Sequence, residues 1–267
     1  MSISVLVLVV AVYAAVATAY LEARRHREAP PLWARIAGPL SVGAHLLGLV
    51  WLGAEIGRSP FSTPAQALSY LAFSLVALYL VLEATSRVAT HGGGFYALAA
   101  LLAALGVPGL INAPAADAVV VKDAVRTFHS GLSLMGTAAI LAAGLLAGGY
   151  LGTYRRVKEA DLGGGAVGPS LRGFERLERR ACLLGVLFFA PAVWMGMRAV
   201  RESDSPEGMA ALLGLTVVLL VLTAVAGWIW WRRPLRGRLA AWLNLLAMIG
   251  AILAFGLVHP LVTGLGK

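Results

Sequence analysis

FHSGLSLMGTAAILAAGLLAGGYLGTY, residues 128–154, is a stretch of 27 residues with no charged side chain except the histidine near its head, and Arg155, Arg156 and Lys158 follow it directly. As a helix it would be about 40 Å long, more than the roughly 30 Å of a bilayer's hydrocarbon. A run that long and that apolar predicts a membrane helix. His129 then sits at one water interface as an imidazole able to ligate a metal, and the cations anchor the opposite end.

The rest of the chain is built from similar material. Hydrophobic residues make up 59% of the 267 and charged residues 13%, with a mean hydropathy of +0.81. A soluble domain of this composition could not cover its own surface with polar groups. Charge and Gly/Pro punctuation mark off eight apolar runs, about 2–21, 37–56, 67–86, 95–111, 125–152, 180–200, 209–231 and 239–259. The expected fold is therefore all-α, a polytopic membrane protein of eight transmembrane helices forming a single transmembrane helical domain over residues 1–267, with no room for a separate soluble domain.

Charge sets the orientation. The connections after the odd-numbered runs hold sixteen of the 22 lysines and arginines, which places those loops in the cytoplasm and both termini outside. The net charge of +9 is thus a topology signal and not a nucleic-acid footprint. The first run has its arginines behind it, at Arg24, Arg25 and Arg27, which fits a retained first helix better than a cleaved leader. Trp33, Trp228, Trp230, Trp231 and Trp242 near the inner boundary and Trp51 and Trp194 near the outer one read as two interfacial belts. The only cysteine, Cys182, lies inside an apolar run and excludes a disulfide, a CxxC pair and a c-type heme attachment on this chain.

Five histidines are the ligand-capable residues. His26 and His91 fall in inner loops and read as solvated. His45, nine residues past Ile36, is roughly 14 Å into the hydrocarbon, and reads equally as a neutral imidazole bonding a neighbouring helix or as an axial heme ligand. His129 is 25 residues before Tyr154, about 37 Å along a helix, and His259 is 21 residues after Arg238, about 31 Å. Both therefore reach the outer edge, where two neutral imidazoles on different helices could take opposite axial positions on one heme iron. Arg126, one turn before His129, could pair with a heme propionate or simply sit at headgroup level. Gly144, Gly148 and Gly152 form a doubled GxxxG that predicts a close helix contact. Residues 158–180 read as a basic juxtamembrane segment running into the sixth helix, suited to anionic lipid or to a docking partner. No acid/base pair, nucleophilic triad or phosphate-binding glycine loop stands out.

Four segments together resemble the cytochrome c assembly proteins of the heme-handling type, in particular their short HemX-like branch. FHSGLSLMGTAAILAAGLLAGGYLGTYRRVK (128–158) is similar to that family's histidine-headed helix with its basic end. GRSPFSTPAQALSYLAFSLVALYLVLE (57–83) resembles its outer loop and following helix. FERLERRACLLGVLFFAPAVWMGM (174–197) and PLRGRLAAWLNLLAMIGAILAFG (234–256) resemble its amphipathic approach to the sixth helix and its final helix. The resemblance implies a bacterial inner-membrane protein that binds or carries a non-covalent b-type heme in support of cytochrome c biogenesis or heme homeostasis, beside other biogenesis or membrane-complex subunits. By position His45 corresponds to the family's helix histidine, His129 to its first outer histidine and His259 to the second. The family's tryptophan-rich motif belongs between the sixth and seventh helices, where this chain has only MRAVRESDSPEGM (197–209). A second inner histidine is absent near Trp230. The expected role is accordingly binding or transfer without catalysis by this chain alone, the alternative being a structural or regulatory subunit that keeps the frame without heme and docks a partner.

Overall fold

A computed structural model describes residues 2–26, 28–56, 63–86, 92–111, 124–159, 170–201, 206–232 and 237–254. They form eight helices and no strand: α1 (Ser2–His26), α2 (Leu32–Ile56), α3 (Pro64–Ser86), α4 (Gly92–Ile111), α5 (Ala124–Lys158), α6 (Leu171–Arg201), α7 (Pro206–Arg232) and α8 (Gly237–Leu253). Each of the eight apolar runs has become a helix. Seven of them, α1 to α7, are long and apolar enough to cross a membrane, while α8 is described over 17 residues. Large apolar side chains such as Leu8, Leu47, Leu105, Leu187 and Ile249 stand exposed on the helices, as expected where lipid replaces water as the outer solvent.

Local chemistry sets several helix ends. Ahead of α3, Thr63 Oγ1 accepts from the Gln66 backbone N–H and Gln66 Oε1 accepts from the Thr63 N–H, both at 3.2 Å, with Pro64 at the first helical position. This reciprocal cap satisfies donors that a helix start leaves open. Thr63→Ala is expected to cost about 1 kcal/mol, read as a lower midpoint in a denaturant titration of the detergent-solubilised protein. Ser170 caps α6 with half of that arrangement, its Oγ accepting from Gly173 N–H at 3.2 Å. Arg24, Arg25 and His26 close α1 and Arg155, Arg156 and Lys158 close α5, where cations meet the negative end of the helix dipole. Pro39, Pro108 and Pro191 lie inside α2, α4 and α6, as membrane helices tolerate.

The chain divides into two compact units. In the first, α1 packs on α2 and α4, and α3 on α2 and α4, closing a four-helix ring. Its interior is rich in tyrosine: Tyr13, Tyr20, Tyr79 and Tyr96 are all buried. Gly38 gives the Tyr96 hydroxyl its place, and Gly92 does so for the Tyr20 ring and the Tyr79 hydroxyl.

The second unit holds α5 from Met135 onward with α6, α7 and α8. Here α6 packs on α7 and α7 on α8, while α5 reaches α6 where the Phe189 ring lies against Gly136 and reaches α8 where Met248 lies against Gly144. Ile140, Phe189, Val193, Leu219, Ala247 and Ala251 form its apolar core. The doubled GxxxG is only partly used. Gly144 makes its close contact, but a Cβ at Gly148 or Gly152 would meet nothing within 4 Å among the described residues. Six of the seven tryptophans are exposed, in keeping with interfacial belts. Trp230 departs from that expectation, being 4% exposed and hydrogen-bonded inside the second unit.

Candidate functional site

His45 is the best-defined of the sequence-predicted site residues. It lies midway along α2 and is 1% exposed. The Tyr13 hydroxyl on α1 is 3.1 Å from Nδ1 and the Ser69 hydroxyl on α3 is 2.9 Å from Nε2. A neutral imidazole has one donor and one acceptor nitrogen, and a hydroxyl can serve either, so both ring nitrogens are satisfied in either tautomer. The ring also packs on Tyr13 at 5.6 Å and edge-on to Phe73 at 6.0 Å between centroids. Three helices of the first unit are thus tied through one side chain. Of the two readings of His45, this geometry matches the helix-bonding one; to take an iron the ring would have to release Ser69 or Tyr13.

The tyrosines extend from there. Tyr96 lies 5.7 Å from Tyr13, 5.9 Å from Tyr20 and 5.9 Å from Tyr79 between centroids. Near the end of α3, half-buried Glu83 stands within electrostatic reach of Tyr20, Tyr79 and Arg35. Sequence inspection places Glu83 near the inner end of its run but gives no sign of the aromatic column beside it, because its members come from three helices.

His129 lies in the second turn of α5, half-buried, next to Phe128, which is exposed. A partly accessible imidazole beside an apolar ring on an otherwise apolar helix suits axial ligation of a planar, greasy cofactor. The Arg126 side chain and the whole of His259 lie outside the described residues, as does His91; the expected pairing of His129 with His259 therefore has no geometry to be judged by. His26 ends α1 and is exposed, as expected of a solvated histidine. Among the described residues no three His, Cys, Asp or Glu side chains converge as a metal-binding group.

The second unit contains a polar cluster that sequence reasoning missed. Glu178 on α6 is 0% exposed. Its Oε2 accepts from Asn244 Nδ2–H of α8 at 2.8 Å and from Trp230 Nε1–H of α7 at 3.2 Å. Asn244 Oδ1 in turn accepts from the Cys182 S–H at 3.3 Å, so the Asn244 amide is bonded through both its nitrogen and its oxygen. Glu178 Oε1 is buried with no hydrogen-bond partner among the described residues. Tyr150 closes the cluster from α5, meeting Trp230 edge-on at 5.4 Å, and both press on Gly237, where no side chain would fit. A signal for Glu178 is present in the sequence: Phe174, Leu177, Ala181, Cys182 and Gly185 recur at helical spacing, and residue 178 lies in the middle of that stripe. The charged residues on either side, Glu175, Arg176, Arg179 and Arg180, disguise it as part of a solvated run.

Compared with protein-family models, with characterised proteins and with solved structures, the chain matches none.

Proposed function

We propose that this chain is a heme-handling protein of the bacterial cytoplasmic membrane, with eight spans and both termini outside, which binds heme for transfer or homeostasis and does not attach it. The observation that carries this is His129: a half-buried imidazole at the head of a 35-residue helix whose far end bears three cations. The resemblance of four ordered segments to heme-handling cytochrome c assembly proteins supports the same reading. His129 and His259 would each offer a ring nitrogen to the iron, and Arg126 would be the cation for a propionate. Bound heme would supply the redox-active iron; the chain's part is to hold it at the outer boundary. His45 acts in this reading as the strut of the first unit.

The purified protein is expected to show a Soret band, or to gain one on addition of hemin, and to lose it in His129→Ala. Colourless protein that takes up no hemin would rule the reading out. A second reading is a heme-free structural or regulatory subunit, favoured by the short connection MRAVRESDSPEGM (197–209) in place of a tryptophan-rich motif and by the basic segment ahead of α6 as a docking surface. A partner that stays bound when His45, His129 and His259 are all replaced would support it.

A further inference from the structure

We propose that the end of the second unit where α5 and α7 finish and α6 and α8 begin is a binding surface for the phosphate headgroups of anionic phospholipid, with Arg179 and Arg238 as its fixed contacts. The proposal rests on the helices being membrane spans and is independent of heme. The Arg179 guanidinium lies over the Trp231 ring at 5.6 Å, and that of Arg238 over the Tyr154 ring at 5.3 Å. Both arginines are exposed. A guanidinium held over an aromatic ring by cation–π attraction keeps N–H groups that can match two phosphate oxygens at once. Held that way, it loses less side-chain freedom on binding than a free arginine would.

The buried cluster fixes these two contacts. Glu178 and Arg179 are consecutive on α6, and Trp230 and Trp231 are consecutive on α7. The Trp230 to Glu178 hydrogen bond inside therefore sets the register that puts Arg179 over Trp231 outside. Asn244 ties α8 to the same carboxylate, with Arg238 less than two turns earlier on α8. The surroundings suit lipid in particular. Trp228 and Trp231 are 57% and 70% exposed on α7, and indoles so placed belong at headgroup level. Arg155, Arg156, Arg172 and Arg176 are exposed on the same ends of α5 and α6, where the acids are the exposed Glu159 and the half-buried Glu175. The excess of arginine around an exposed aromatic rim complements a layer of phosphates lying in the membrane plane.

Native mass spectrometry of the full chain in detergent, with phosphatidylglycerol or phosphatidylcholine added, tests this. The native chain is expected to retain phosphatidylglycerol in preference. Arg179→Ala and Arg238→Ala should each lower that retention about five-fold, the equivalent of about 1 kcal/mol per cation. Trp231→Ala, which keeps every charge but frees the Arg179 guanidinium, should lower it as well, and Arg179→Lys should recover only part. His129→Ala should leave it unchanged, which separates this outcome from that of the heme experiment. Equal retention of the two lipids overturns the proposal, as does a native response from Trp231→Ala and Arg179→Lys together. Poly-glutamate binding more tightly than the lipid would also overturn it, pointing to an acidic protein as the occupant. Trp231→Ala removes no charge and no buried hydrogen bond, so it keeps the test open if an arginine variant fails to fold.

Discussion

Glu178→Ala is expected to destabilise the protein by about 2–3 kcal/mol, while Glu178→Gln stays within about 1 kcal/mol of native. The alanine variant strands two buried donors, Trp230 Nε1–H and Asn244 Nδ2–H, each at about 1 kcal/mol or more, and opens a cavity among α6, α7 and α8. Against this runs the relief of removing a buried carboxyl whose Oε1 has no partner among the described residues, because burying such a group is costly in its own right. Glutamine keeps a carbonyl where Oε2 stands and so keeps both donors, and it has no charge to desolvate. Denaturant titration of the detergent-solubilised variants, followed by near-ultraviolet circular dichroism, would measure both. If glutamine proved as damaging as alanine, the carboxylate charge itself would be needed, and a cation would have to be sought at Oε1.

The same cluster shows what the sequence discloses and what it hides. Helices were legible because a membrane span must satisfy its whole backbone internally, so length and apolarity alone announce it. The basic segment ahead of the sixth run was legible as helical, and it is continuous with α6 from Leu171. Which face of a membrane helix is buried was much harder to read, since lipid-facing and core-facing positions are both apolar and periodicity fades. Hence Gly148 and Gly152 suggest a helix contact that the described residues do not make, and Trp230 groups with tryptophans at the interface although it is inside. Polar residues mark the interior better than apolar ones do: His45, Ser69, Asn244 and Glu178 are all buried and all bonded across helices. Their depth could be counted from the sequence, but their partners could not, because Tyr13 to His45 and Glu178 to Asn244 join residues 32 and 66 positions apart.

His45→Ala should cost about 3 kcal/mol and His45→Phe about 1–2 kcal/mol, whereas neither should remove a Soret band that depends on His129. Alanine strands the Tyr13 and Ser69 hydroxyls and leaves a cavity the size of the ring. Phenylalanine fills that space and keeps the contacts with Tyr13 and Phe73, losing only the hydrogen bonds, which between membrane helices average well under 1 kcal/mol each. The gap between the two variants therefore measures packing, and what remains in His45→Phe measures the bridge. The phenylalanine variant also decides between the two roles the sequence left open for this residue. A strut predicts reduced stability with an unchanged visible spectrum. Loss of the band at near-native stability would mean that Nε2 exchanges Ser69 for iron when heme enters, with Tyr13 left on Nδ1 to orient the ring as the partner of a metal-bound histidine commonly does. Ser69→Ala adds the complementary reading: a strut loses one hydrogen bond and nothing else, whereas a ligand freed from its competitor should take up hemin more readily.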